Sequence, residues 1–356
     1  MTERLPERAG SPRIEWIDIC KGLLIILMVL GHTGTPVIRP LRKWIYSFHM
    51  SAFLFLSGYT AGRDLPFGAF MLKRMKRILV PYVVWNLAYL ALYAFLISRD
   101  IYLFFDAAQT VSFADFFRNL ATTDLGGATW FLPVIFEISL IYRLLQMLCT
   151  AAKRPEFAPY LGALIGVGGF YLCDGGHYLP YMLDLALYGL LYYSLGSFFA
   201  RNRVLEEHLP AREMTLLCAG VSYLFGMLYQ NASMQWPTRE FAGILENLIS
   251  SISGIYVCYR VSVWLCGANV LKRGLSFFGK HTLEILIFHF AAYRVVFCVM
   301  HLLGWLPAEY MRVRMPQDAL SMEWLIVPAA ALALCAAGIM VKERCSKGLR
   351  KLMAGK

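Results

Sequence analysis

Ten ionisable residues fall within apolar stretches of this sequence: Asp18, Lys21, His32, His49, Glu137, Asp184, Glu246, Glu284, His289 and Arg294. Placing Lys, Arg or Asp at the centre of a membrane helix costs about 2.5–3.5 kcal/mol, so such residues face a bundle interior and mark a site. Lys21 and His32 are eleven residues apart, close to three helical turns. One helix face therefore carries both, about 16 Å apart along its axis. Asp18 stands one turn before Lys21, at a spacing suited to an ion pair. Such a face offers a cation for an anionic ligand at one end and an imidazole for proton transfer at the other. The plainer alternative has Lys21 snorkelling to the membrane surface and His32 capping the helix in the interface.

His49, in Phe48-His49-Met50, falls at a depth near that of His32, so the two imidazoles can share a site; alone it reads as interfacial. Ser57 and Gly58 suit close helix approach. The run Lys73-Arg74-Met75-Lys76-Arg77 is first a topology signal, yet Arg74 and Arg77 share a helix face suited to a phosphorylated ligand. Trp130 stands where interfacial aromatics are expected, with Glu137 two turns deeper. A late stretch, His281-Thr282-Leu283-Glu284-Ile285-Leu286-Ile287-Phe288-His289, precedes Arg294.

The elements that hold these residues must be membrane helices. Of 356 residues, 58% are hydrophobic and only 16% charged, against about 25% charged in ordinary globular domains. A span needs about 20 apolar residues. This predicts an all-α, polytopic transmembrane helix bundle with about ten spans, near 14–33, 44–62, 78–98, 129–149, 158–173, 182–200, 214–230, 243–265, 282–303 and 323–341. With the N-terminus in the cytoplasm, 24 of the 34 lysines and arginines fall on the cytoplasmic side and eight on the other. That asymmetry places both termini in the cytoplasm and accounts for the net charge of +11 without a nucleic-acid partner.

The chain reads as one membrane-embedded domain over 1–356, with a cytoplasmic tail at 1–13 and a basic one at 342–356. The outer segment 99–128, rich in phenylalanine, reads as an interfacial segment or lid. Nine scattered cysteines show no metal-ligand spacing and no metal is expected.

Together these residues resemble acyltransferase family 3, the multispanning acyltransferases that modify carbohydrates, and most nearly its fucose O-acetylase-like branch. The resemblance rests on Lys21 and His32 in an [RK]-x10-H pattern with Asp18 before them, and on Phe48-His49-Met50 leading to Phe55-Leu56-Ser57-Gly58-Tyr59. It rests also on Arg74 and Arg77 followed by Pro81-Tyr82, on Trp130-Phe131-Leu132, and on Thr282, Leu286 and His289. Thr282 stands where serine is expected, and Ser51 and Ala52 where a proline and a larger apolar residue are common.

The resemblance implies O-acyl transfer, foremost O-acetyl transfer, from cytoplasmic acetyl-CoA or another acyl-CoA to a carbohydrate at a bacterial cytoplasmic (inner) membrane. It implies His32 as general base, supported by Lys21, Asp18 and Glu137. Arg74, Arg77 and Lys21 would hold the donor, and His49, Trp130, Asp184, His289 and Arg294 the acceptor. The rival class is a secondary transporter, which also explains ionisable groups near the midplane; paired Gly/Pro-interrupted spans in two related halves are not seen.

Overall fold

A computed structural model describes residues 14–33, 39–62, 65–99, 125–207, 211–228, 234–307 and 325–354, together with Ala114 and Phe117. The expected lid at 99–128 and the tail at 1–13 fall largely outside the described residues. Among the described residues there is no sheet, only an isolated bridge between Gln235 and Glu240. The main helices are α1 (Glu15–Gly31), α2 (Arg39–Tyr46), α3 (His49–Tyr59), α4 (Phe67–Arg74), α5 (Val80–Ser98), α6 (Phe131–Ala151) and α7 (Ala158–Asp174). They continue with α8 (Leu183–Arg201), α9 (Ala211–Tyr223), α10 (Ile244–Leu265), α11 (Asn269–Lys280), α12 (Thr282–Leu302) and α13 (Ile326–Ala354).

Among the described residues, seven helical segments are long and apolar enough to cross a membrane: Phe67–Leu96, Phe131–Ala151, Pro155–Asp174, Pro180–Arg201, Ile244–Leu265, Thr282–Leu302 and Ile326–Gly348. They cover seven of the ten expected spans. The other three are shorter or interrupted. Helix α1 has 17 residues. The run expected at 44–62 breaks between α2 and α3, where the Phe48 ring packs into the notch at Gly254 of α10. Helix α9 passes into a π-helical turn at Leu224–Leu228. The basic run at Lys73–Arg77 is helical: Arg74 ends α4, and Arg77 lies in a π-helical turn, Met75–Leu79, that leads into α5. The basic end of the chain is likewise a continuation of α13, tied back to α12 by Lys342 on Glu284.

Helices without side chains at their crossings can approach to backbone contact. Gly58 of α3 faces the carbonyl of Tyr193 in α8, and Gly196 of α8 faces the carbonyl of Phe55 in α3. The amphipathic α11 crosses α1 in the same way, Gly22 on the Leu275 carbonyl and Gly279 on the Asp18 carbonyl. A Cβ at any of these four positions would strike a backbone oxygen, which cannot move aside as a flexible side chain can. Gly58→Leu should therefore separate α3 from α8. The expected result is a detergent-extracted protein that elutes as aggregate in size-exclusion chromatography, whereas Gly62→Leu, where the added atom meets nothing, should elute as wild type.

Candidate active site

The end of α1, the α2–α3 break and the start of α12 enclose a cavity of about 280 Å³. Its wall includes Met28, His32, Arg42, Tyr46, His49, Trp130, Trp236 and Thr282. His32 follows the last turn of α1, and its Nδ1 lies 2.7 Å from the Met28 carbonyl. A carbonyl only accepts, so Nδ1 carries the proton and Nε2 keeps its lone pair. His49 repeats the arrangement on Ile45 at 2.9 Å, and His289 on Ile285 and Leu286, both at 3.0 Å. In the neutral ring all three imidazoles thus keep the Nε2 lone pair. Each ring is fixed by the carbonyl one turn earlier in its own chain segment.

The rings form one cluster. The His32 centroid is 5.1 Å from that of His289, 5.0 Å from Phe290 and 6.1 Å from Tyr46. Tyr46 stacks on His49 at 5.1 Å. His289 is fully buried, its Nε2 has no hydrogen-bond partner among the described residues, and it lies behind His32 rather than in the cavity wall. Tyr293, one turn beyond it, fixes α12 to α1 by donating its hydroxyl to the Val29 carbonyl.

Two further supports complete the wall. Asn86 of α5 accepts from the Leu125 amide at 3.0 Å and donates to Thr129 at 3.2 Å, which sets the segment carrying Gly127, Ala128 and Trp130. Opposite, the segment Met234–Thr238 is held at both ends. The Met234 amide donates to the Tyr46 carbonyl at 3.2 Å. Arg239 donates to both oxygens of the buried Asp184, at 2.9 and 3.3 Å. Trp236 stacks on Tyr188 at 4.8 Å between these anchors.

The structure therefore brings His32, His49, Trp130 and Thr282 together around one cavity and His289 against it. Other expected site residues lie away from its wall. Asp184 is engaged by Arg239, with Leu179 N–H as a further donor. Lys21 is half-buried on α1 and Asp18 is buried beside α11. Glu137 of α6 has a buried Oε2 without a hydrogen-bond partner among the described residues. Arg294 is half-buried on α12. Arg74 covers the Phe70 ring, while Arg77 is exposed. Arg42, Tyr46 and the Met234–Thr238 segment escaped the sequence reading. The one local signal was the spacing of Arg42 and Tyr46, one turn apart on a short helix.

A sequence profile described as an acyltransferase domain, that of acyltransferase family 3, matches residues 14–342. The chain belongs to acyltransferase family 3. It is similar to Nodulation protein NolL of Sinorhizobium fredii (strain NBRC 101917 / NGR234), with 24% identity over 314 residues, 78% of this chain and 77% of NolL. No solved structure matches it. Membership in acyltransferase family 3 and the seven apolar helices make it a multi-pass membrane acyltransferase, and favour group transfer over the transporter alternative.

Proposed function

We propose that this acyltransferase moves an acyl group, foremost acetyl, from cytoplasmic acyl-CoA to a hydroxyl of a cell-surface or lipid-linked carbohydrate, with His32 as general base. The observation that carries the proposal is the His32 imidazole at the cavity wall, with its Nδ1–H committed to Met28 and its Nε2 basic. In the reaction, Nε2 takes the proton of the acceptor hydroxyl as its oxygen attacks the thioester carbonyl. The tetrahedral intermediate then collapses, the C–S bond breaks, and the departing thiolate recovers the proton from His32. The apolar part of the wall, Ile25, Met50, Phe53, Leu283 and Leu286 among it, keeps water from the thioester.

The remaining roles follow from position. Arg74 and Arg77, with Lys21 further along α1, hold the donor phosphates. His49 and Trp130 meet the acceptor, and His289 backs His32. Glu137 and Asp18 are the carboxylates that accompany this machinery, Asp18 as the companion of Lys21. Ten crossings, with α1, the α2–α3 pair and α9 adding to the seven long helices, put both termini in the cytoplasm of a bacterial inner membrane. The whole chain acts as one domain.

Hydrogen bonds to charged groups contribute about 1.5–3 kcal/mol, and each 1.4 kcal/mol is tenfold in affinity. Arg74→Ala/Arg77→Ala should therefore raise the Kd for acetyl-CoA at least about tenfold, measured by calorimetry on protein in nanodiscs. Unchanged donor affinity would remove both arginines from the donor site.

A further inference from the structure

We propose that the acceptor enters the cavity by an anionic group, a carboxylate or a phosphate, which Arg42 binds. This rests on the acyl-transfer reading for the identity of the ligand as acceptor, and on the cavity wall for its charge.

Arg42 is the one lining residue with a fixed charge, and no acidic residue lines the cavity among the described residues. Its described partner is Tyr46: the guanidinium carbon stands 5.2 Å from the ring centroid. That contact supplies no negative charge. A guanidinium offers five N–H donors in a planar fork that fits carboxylate or phosphate, and Tyr46 leaves most of them unused. Arg42 is half-buried in a wall that is otherwise mostly apolar, and with no carboxylate lining it among the described residues a bound anion can supply the pairing charge.

The wall holds a second donor. Trp236 is fully buried, and its indole Nε1–H has no partner among the described residues. The Met234 amide on the Tyr46 carbonyl ties this segment to the helix that carries Arg42. The wall thus carries two residues with donors left unused among the described residues, and Arg42 is the charged one. The same tyrosine is 6.1 Å from the His32 ring, centroid to centroid, so a single glycosyl residue can reach Arg42 with its anionic group and the base with a hydroxyl.

Two other anions have to be told apart from this one: the donor phosphates and the oxyanion of the tetrahedral intermediate. The test uses full-length protein in nanodiscs and three probes: methyl glucuronide, glucose 1-phosphate and the neutral methyl glucoside. Calorimetry without donor reads binding. Wild type should bind at least one of the two anionic probes about tenfold to a hundredfold tighter than the neutral one. Arg42→Gln should abolish that preference, and Arg42→Lys should restore part of it as a point charge. The Kd for acetyl-CoA should stay unchanged in both variants.

Equal affinity for all three probes, no binding of either anion, or a preference that survives Arg42→Gln would overturn the proposal. So would a loss of acetyl-CoA affinity in Arg42→Gln, which would give Arg42 to the donor. A fall in kcat of the same size for neutral and anionic acceptors, with binding preferences intact, would give it to the oxyanion. If the anion preference holds but no probe is acylated by any acyl-CoA, the anion subsite stands and the acyl-transfer reading fails.

Discussion

His32→Gln should lower kcat by about 10²–10⁴-fold, the range in which positioned general bases contribute, while the Kd for acyl-CoA stays near that of wild type. Glutamine can still occupy the space beside Met28 and Tyr46, but it has no nitrogen lone pair able to take a proton. The loss therefore falls on the chemical step rather than on binding. His49→Gln makes the informative comparison. His49 lines the same cavity and its Nδ1 is held in the same way, by Ile45 at 2.9 Å. Under the proposed roles it meets the acceptor, so its replacement should raise the acceptor KM more than it lowers kcat. Steady-state kinetics on the two variants separate the roles. Equal losses in kcat would mean that the imidazoles act as a unit.

Asp184→Ala should cost about 3–5 kcal/mol of stability, because removing one partner of a buried ion pair strands the other. The Asp184 side chain is fully buried and that of Arg239 is 14% exposed. The carboxylate accepts from Arg239 at two points and from the Leu179 amide. Its loss also leaves the Arg239 guanidinium, among the described residues, with the Pro237 carbonyl and the Tyr178 ring. Thermal unfolding in detergent should show the drop. The double variant Asp184→Ala/Arg239→Ala should recover part of it, since no uncompensated charge remains. Because Arg239 closes the segment that carries Trp236, the single variant should also bind acceptors more weakly. A Tm equal to that of wild type would mean that the pair holds nothing together.

The membrane helices were legible because burial in lipid imposes a length and a composition that no local preference can hide. His32, at the end of the apolar run of α1, was legible as a candidate from its spacing to Lys21, and the structure places it in the cavity wall. The break between α2 and α3 was not, since apolar residues continue straight through it, and its cause is remote, the Phe48 ring against Gly254. Nor was the role of Asp184 legible. A buried carboxylate signals that it needs a partner, but nothing in the sequence points 55 residues ahead to Arg239. The Met234–Thr238 wall was hidden in the same way, being joined to Tyr46 by a backbone amide, which leaves no trace in residue type. The run at Lys73–Arg77 was legible as basic, but its π-helical turn at Met75–Leu79 was not, because charge reports which side of the membrane a segment faces and says little about the kind of helix.

The most direct test of the central claim follows the acyl group itself. Wild-type protein in nanodiscs is supplied with acetyl-CoA carrying a labelled acetyl group and with a pool of neutral and anionic glycosides, and the products are separated and read by mass spectrometry. The account predicts labelled O-acetyl ester on a glycoside, free CoA released in equal amount, and neither product above background in His32→Gln. Folded wild type that neither binds nor consumes acyl-CoA would contradict it, as would transfer that proceeds at the wild-type rate without His32.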